Sequence, residues 1–217
     1  MSRLAVGGLG IVGSGVVLDK ISGILPGGRF INQAQAADEK ELLKPGPLGD
    51  NIIGDAKAPV TIVEYASMTC PHCAAFHLTT YQELKKKYID TGKARLIFRE
   101  FPLDNLSLAA FMLTRCADKS KYFAFVDILF KKQREWSSSS DPRTALFNIA
   151  KFAGFTKEQF DSCLKDEKIA RAVREVGDIG SKKFNVESTP TFFINGKVMR
   201  GNATLDAFEK RIAEIIK

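Results

Sequence analysis

Cys70-Pro71-His72-Cys73 places two sulfurs three positions apart, and His77 follows four residues after the second. Haem attachment through such a pair requires histidine directly after the second cysteine, where this chain has Ala74. Zinc finds Cys70, Cys73 and His77 at spacings of three and four, compatible with one helix face. A fourth ligand is missing, since there is no second Cys-x-x-Cys and His72 is the only other histidine. As an inert staple the pair would achieve little, because closing so small a ring barely restricts the unfolded chain. A redox role gives every position a cause. Cys70 lies where a strand run gives way to a helix run, so unpaired N–H groups and the positive helix end would stabilise a thiolate there. Cys73, one turn in, can close back onto it. Pro71 stiffens the first turn and removes a donor that would have no partner anyway. His72 adds a donor and a potential positive charge. A stabilised thiolate favours the reduced dithiol and makes the disulfide the stronger oxidant.

Three other positions carry possible chemistry. Alternation along Val60-Thr61-Ile62-Val63-Glu64-Tyr65 places Glu64 on the face of Val60 and Ile62, a buried acid six residues before Cys70. Pairing with a nearby lysine is its plainest use. Pro190 opens a later strand and would ordinarily be a strand-edge proline. Cys116 and Cys163 fall on two different predicted helices. In an exported protein they suit a structural disulfide, contributing on the order of 4 kcal/mol through the loop it closes. Two buried free thiols, or a pair that tunes the first, are the alternatives.

The elements that must position these residues can be read along the chain. Val60–Tyr65 is a compact β-branched strand, Cys70 to about Asp90 a helix ended by Gly92, and Ala94–Phe101 a second strand closed by Pro102. That is β-α-β, suited to parallel pairing. From Leu103 to about Lys183 the apolar spacing is helical, interrupted at Ser137–Ser140. Asp141-Pro142 and Thr156–Gln159 read as helix starts, the second as a capping box. Strand character returns at Thr191–Ile194, turns at Asn195-Gly196 and continues through Lys197–Arg200, a hairpin signal. Thr204 caps a last helix running to near Lys217. Residues 37–59 form a polar lead-in with Ile52 and Ile53 as a short edge strand. The reading is thus an α/β, thioredoxin-like fold over 60–102 and 184–217, with residues 103–183 inserted as an all-helical subdomain.

The first 36 residues form a different kind of segment. Arg3 precedes the apolar, glycine-rich run Leu4–Val17, and Ala34-Gln35-Ala36 resembles a cleavage site, so 1–36 reads as a signal peptide cut before Ala37. An uncleaved anchor is the rival, although the run is shorter than the roughly 20 residues that span a bilayer. The net charge of +7 falls to +5 without this segment. Lys85-Lys86-Lys87 and Lys131-Lys132 look like solvated helix faces. No basic stripe interleaved with aromatics is present, so nucleic acid is not an expected partner. Composition, with 45% hydrophobic and 26% charged residues, is that of an ordinary soluble domain and names no activity.

Taken together, Cys70-Pro71-His72-Cys73, the preceding Ala58–Tyr65 and Ser188-Thr189-Pro190-Thr191-Phe192 resemble DsbA-type thiol:disulfide oxidoreductases, over roughly Asn51–Lys217. The resemblance implies that Cys70 is the reactive sulfur of an oxidising couple. It implies that Glu64 lies beneath the Cys73 side and assists proton transfer, its pKa raised by burial. It further implies that Pro190 has a cis peptide bond beside Cys70, with Thr189 presenting backbone to a substrate chain. Thr189 stands where the best-known DsbA pattern has valine and resembles disulfide isomerases, which bears on the direction of the couple. The expected function is a periplasmic, monomeric oxidase, or one tethered to the outer face of the inner membrane. It would donate the Cys70–Cys73 disulfide to reduced or unfolded client proteins and be reoxidised by a membrane quinone-linked DsbB-type oxidase. It needs no cofactor and no metal. The alternatives are an isomerase or reductase, whose dimerisation domain 37–59 is too short to supply, and a non-redox chaperone-like peptide-binding module, which would need neither cysteine.

Overall fold

The computed structural model describes residues 37–216. Within them, five strands form one sheet in the order β1-β3-β2-β4-β5: β1 (Asn51–Gly54), β2 (Val60–Ala66), β3 (Ala94–Glu100), β4 (Thr191–Ile194) and β5 (Lys197–Arg200). β2 and β3 pair in parallel, with Val60 opposite Ala94 and Ala66 opposite Glu100. The remaining pairings, β1 with β3, β2 with β4 and β4 with β5, are antiparallel. Every residue of β2 is buried, as its run of apolar and β-branched residues requires of a central strand. Asn195 and Gly196 both adopt positive φ, 42° and 79°, between β4 and β5, the conformation a tight hairpin demands of them.

The helices are α1 (Glu39–Leu42), α2 (Pro71–Leu78), α3 (Thr80–Leu84), α4 (Asn105–Cys116), α5 (Tyr122–Lys131), α6 (Gln133–Ser137), α7 (Pro142–Ala150), α8 (Lys157–Leu164), α9 (Glu167–Phe184) and α10 (Leu205–Ala213). Side-chain alternation on the strands sorts them into layers. Val60, Ile62, Leu96, Phe192 and Ile194 pack with Phe76, Tyr81 and Leu84 of α2 and α3 and Phe208 and Ile212 of α10. On the opposite face, Val63, Tyr65, Ile97 and Phe193 meet Leu42 of α1 and Val176 and Phe184 of α9. A third core lies within α4–α8 and closes on the redox segment, for it holds Phe111, Phe125, Phe130, Trp136 and Phe160 together with Met68, Cys70, Cys73 and Ala74. The fold is therefore thioredoxin-like, with a helical insertion between β3 and β4.

Four details depart from the expectation. The helix expected from Cys70 to Asp90 is broken at Thr79 (φ −124°, ψ −85°) and continues as α3 and a π-turn at Lys85–Ile89. The Thr79 hydroxyl donates to the Ala75 carbonyl at 2.8 Å, which competes with the backbone ladder where the helix breaks. The lead-in contains α1, whose Leu42 is core, in addition to the expected edge strand β1. α9 belongs to both layers, since Val173 packs with the insertion while Val176 and Phe184 pack on the sheet. The last helix ends at Ala213 rather than near Lys217. The expected signal segment, residues 1–36, lies outside the described residues.

Candidate active site

Cys70 is the N-cap of α2, in extended conformation (φ −75°, ψ 119°), and Pro71 is the first helical residue. At an N-cap the side chain is aimed at the N–H groups two and three residues on, here those of His72 and Cys73. A thiol makes a poor cap, and as a thiol Cys70 donates instead to the Thr189 carbonyl at 3.2 Å. A thiolate is a far better acceptor for the same two N–H groups. The Cys70 pKa accordingly falls to about 5: the hydrogen bond from the Cys73 thiol lowers it most, burial opposes, and Thr189 and the backbone N–H groups of Cys73 and His72 lower it further. Cys73 moves the other way. Burial pushes its thiol well above the ordinary cysteine value, reinforced by its bond to Cys70, the Cys70 charge and the Glu64 carboxylate. Both sulfurs are free thiols in the structure.

His72 acts on the sulfur through its backbone, its side chain being exposed. The Thr189–Pro190 peptide is cis and brings the Thr189 carbonyl to Cys70, so residues 119 positions apart meet at the reactive sulfur. Thr189 itself is buried, and it is its side chain, not the carbonyl, that favours the Cys70 thiolate.

Glu64 is fully buried on the α2 face of the sheet, as alternation requires. Its partner is not a lysine. Both carboxylate oxygens lie near Nε2 of His77, at 3.1 and 3.2 Å. His77, one turn beyond Cys73 on α2, is stacked on Phe130 with ring centroids 4.4 Å apart and flanked by Tyr81 and Phe98. Its Nδ1 faces Asp127 Oδ1 of α5 at 3.9 Å. Both imidazole nitrogens are thus aimed at carboxylates rather than at the sulfurs. Burial alone would lower the His77 pKa, but Glu64 and Asp127 together raise it to about 9. Among the described residues no group of three or more His, Cys, Asp and Glu is placed to hold a metal ion.

Two further features were not read from sequence. Gln133, buried at the start of α6, donates through Nε2 to the carbonyls of Met68 at 2.8 Å and Cys70 at 2.9 Å. It thereby fixes the segment before α2 to the insertion, and nothing marked it out in sequence, since it lies in the charged run Lys131–Glu135. Ser107 does the same from α4, accepting from the Met68 N–H at 3.0 Å and sharing a hydrogen bond with Ser67 at 2.8 Å. Away from the site, Cys116 and Cys163 form a disulfide joining α4 to α8, with Cα atoms 6.1 Å apart.

Residues 48–214 match the thioredoxin family. The solved structure of Wolbachia pipientis α-DsbA1 is 36% identical and superposes with a TM-score of 0.75, covering 82% of this chain and 95% of that one. BdbD of Bacillus subtilis, solved in the oxidised state, is 26% identical with a TM-score of 0.70 over 80% of this chain and 96% of its own. A Rickettsia bellii protein provisionally named a protein-disulfide oxidoreductase is 37% identical over 169 residues, 77% of this chain and 65% of its own length. The chain spans somewhat under two thirds of the rickettsial relatives it matches. A family match over most of the described residues, and a shared fold with a relative more than one third identical, lead to one conclusion: the chain belongs to the thioredoxin family, in its DsbA-type branch.

Proposed function

We propose that the protein is an exported thiol:disulfide oxidoreductase that donates the Cys70–Cys73 disulfide to client proteins. The opposed ionisation of the two sulfurs carries this reading: Cys70 is held as a thiolate at neutral pH while Cys73 is held as a thiol. A client thiolate attacks Cys70 Sγ of the disulfide, the bond to Cys73 breaks, and Cys73 leaves with the electron pair and takes up a proton. A second client thiolate then attacks the client sulfur of the mixed disulfide and expels Cys70, which the N-cap position makes a good leaving group. The client emerges oxidised and the pair reduced. The cis peptide bond at Pro190 supports a substrate-binding role for Thr189, whose backbone lies against Cys70. Glu64 serves as the proton acceptor and donor for Cys73.

Turnover requires an oxidant bearing a disulfide, and the family resemblance points to a membrane quinone-linked DsbB-type partner, with the protein acting as a monomer in the periplasm. The Cys116–Cys163 disulfide supports an oxidising compartment. The deciding measurement is the potential of the 70–73 pair, obtained by equilibration against glutathione. A value well above the glutathione couple is expected. A value near that of thioredoxin, about −270 mV, would make the protein a reductase or isomerase instead.

A further inference from the structure

His77 is a fully buried ionisable side chain that the exchange chemistry does not use, and the groups around it are unusual for a core histidine. Three of the elements packed on it bring titratable groups, Glu64 from β2, Asp127 from α5 and Tyr81 from α3, while β3 brings only the Phe98 ring. Glu64 is inaccessible, whereas Asp127 is about 42% exposed and reaches the ring from the solvent side. The Nδ1 atom is buried without a hydrogen-bond partner, Asp127 Oδ1 lying 3.9 Å from it. A buried ring aimed at two carboxylates is one held in its cationic form.

We propose that His77 is a positioning residue for the Cys73 half-reaction: a standing imidazolium beside Glu64 that keeps the buried layer below Cys73 electrically neutral before and after the proton moves. The inference rests on the oxidoreductase reading and deepens it. When the pair is reoxidised, Cys70 is first joined to the oxidant's sulfur. Cys73 then gives its proton to the Glu64 carboxylate, its thiolate attacks Cys70 Sγ, and the oxidant's sulfur departs as a thiolate with the electron pair. Before proton transfer the layer holds a thiol, a carboxylate and an imidazolium. After transfer it holds a thiolate, a carboxylic acid and the same imidazolium. Net charge is zero in both, so no uncompensated charge develops where water is excluded. Without the cation, Glu64 would be a buried anion with no compensating charge beside it. Asp127 is the outer support that holds the ring charged toward alkaline pH.

The experiment loads Cys70 with glutathione on the whole protein and follows its displacement by Cys73 across pH 5–10. It is repeated with His77→Gln and, because that core variant can misfold, with Asp127→Asn at the half-exposed position. With only two histidines in the chain, nitrogen NMR of labelled histidine reads the His77 charge directly. The native ring is expected to stay cationic through pH 8. His77→Gln is expected to slow displacement at pH 7 by about 100-fold or more, the scale of lost proton-transfer assistance. Asp127→Asn is expected to lower the pH at which both the ring and the displacement rate titrate, by the same interval, leaving Cys70 alkylation unchanged. A ring that is neutral at pH 7 in the native protein overturns the inference, as does an Asp127→Asn rate profile that stays put while the ring's titration moves. If native Cys70 forms no mixed disulfide, the oxidoreductase reading itself fails, and the histidine spectrum still reports on the ring independently.

Discussion

A cysteine at an N-cap is a conditional cap: it does little for the helix as a thiol and much as a thiolate, so the helix itself selects the ionised sulfur. This sets how the couple must respond to pH. Between about pH 5, where Cys70 titrates, and the far higher value of Cys73, reduction by two electrons takes up one proton. The potential should therefore fall by about 30 mV per pH unit in that range and by about 59 mV per unit below it. A redox titration between pH 3.5 and 8 checks this, and a single slope of about 59 mV throughout would remove the thiolate. The same depressed pKa stabilises the reduced fold, fully above the ordinary thiol value and progressively less as pH falls toward 5. Reduced protein should thus melt above oxidised protein at pH 7, with the gap closing near pH 5. Glu64 needs a revised expectation at this scale. If Glu64 only assisted proton transfer, Glu64→Gln would change exchange rates more than folding. Because its partner is His77, the substitution also strips a buried cation of its counter-charge, so urea unfolding should show a loss of about 3 kcal/mol, typical of breaking a buried pair. The His77 contribution is fully present below about pH 6.5 and lost as pH rises through about 9, so that loss should shrink at alkaline pH.

At the scale of elements, three helices, α2, α4 and α6, and the Thr189–Pro190 loop meet around the redox segment, and they were legible to different degrees. β2, β3, the β4–β5 hairpin and the starts of α7 and α8 followed from β-branched runs, Asn-Gly and capping residues, because those signals are local. The Thr156–Gln159 capping box is present in full. The alternation that buried Glu64 was legible too, but its partner was not: His77 was weighed as a metal ligand, since spacing along a helix shows which face a residue shares, not what the neighbouring strand brings to it. Gln133 escaped for the same reason, as its two acceptors lie more than sixty residues away. Its substitution by Ala should leave the buried Met68 carbonyl without a donor, the Cys70 carbonyl keeping the Ala74 N–H, and destabilise the protein by roughly 1–3 kcal/mol, measurable by urea unfolding. The packing of α9 on the sheet was equally invisible, because it depends on one glycine. A Cβ at Gly180 would stand 2.6 Å from the Tyr65 ring, which is itself fixed by a hydrogen bond from Arg99. Gly180→Ala should cost about 1–3 kcal/mol by overpacking, despite alanine's better helix propensity, and a gain in melting temperature would refute the close approach.

At the scale of the molecule, the insertion and the sheet layer are joined through the site rather than beside it. The core that contains Cys70 and Cys73 is the core of α4–α8, so the helices roof the sulfurs and bury Cys73 completely. The Cys116–Cys163 disulfide fastens that roof, tying α4 to α8 across 47 residues of sequence. Its effect on stability and its effect on chemistry can be separated by physical argument. Restricting an unfolded loop of this length is worth about 4 kcal/mol in the chain-entropy model, and replacing Cys116 and Cys163 together by Ala should remove about 2–4 kcal/mol from the free energy of unfolding. The groups that lower the Cys70 pKa are Cys73, Thr189 and the first N–H groups of α2, none of which belongs to α4 or α8. The double substitution should therefore lower the urea midpoint while the alkylation midpoint of Cys70 stays at about 5. A Cys70 midpoint that climbs toward the ordinary thiol value in this variant would show that the roof, and not the start of α2 alone, holds the reactive sulfur in its ionised state.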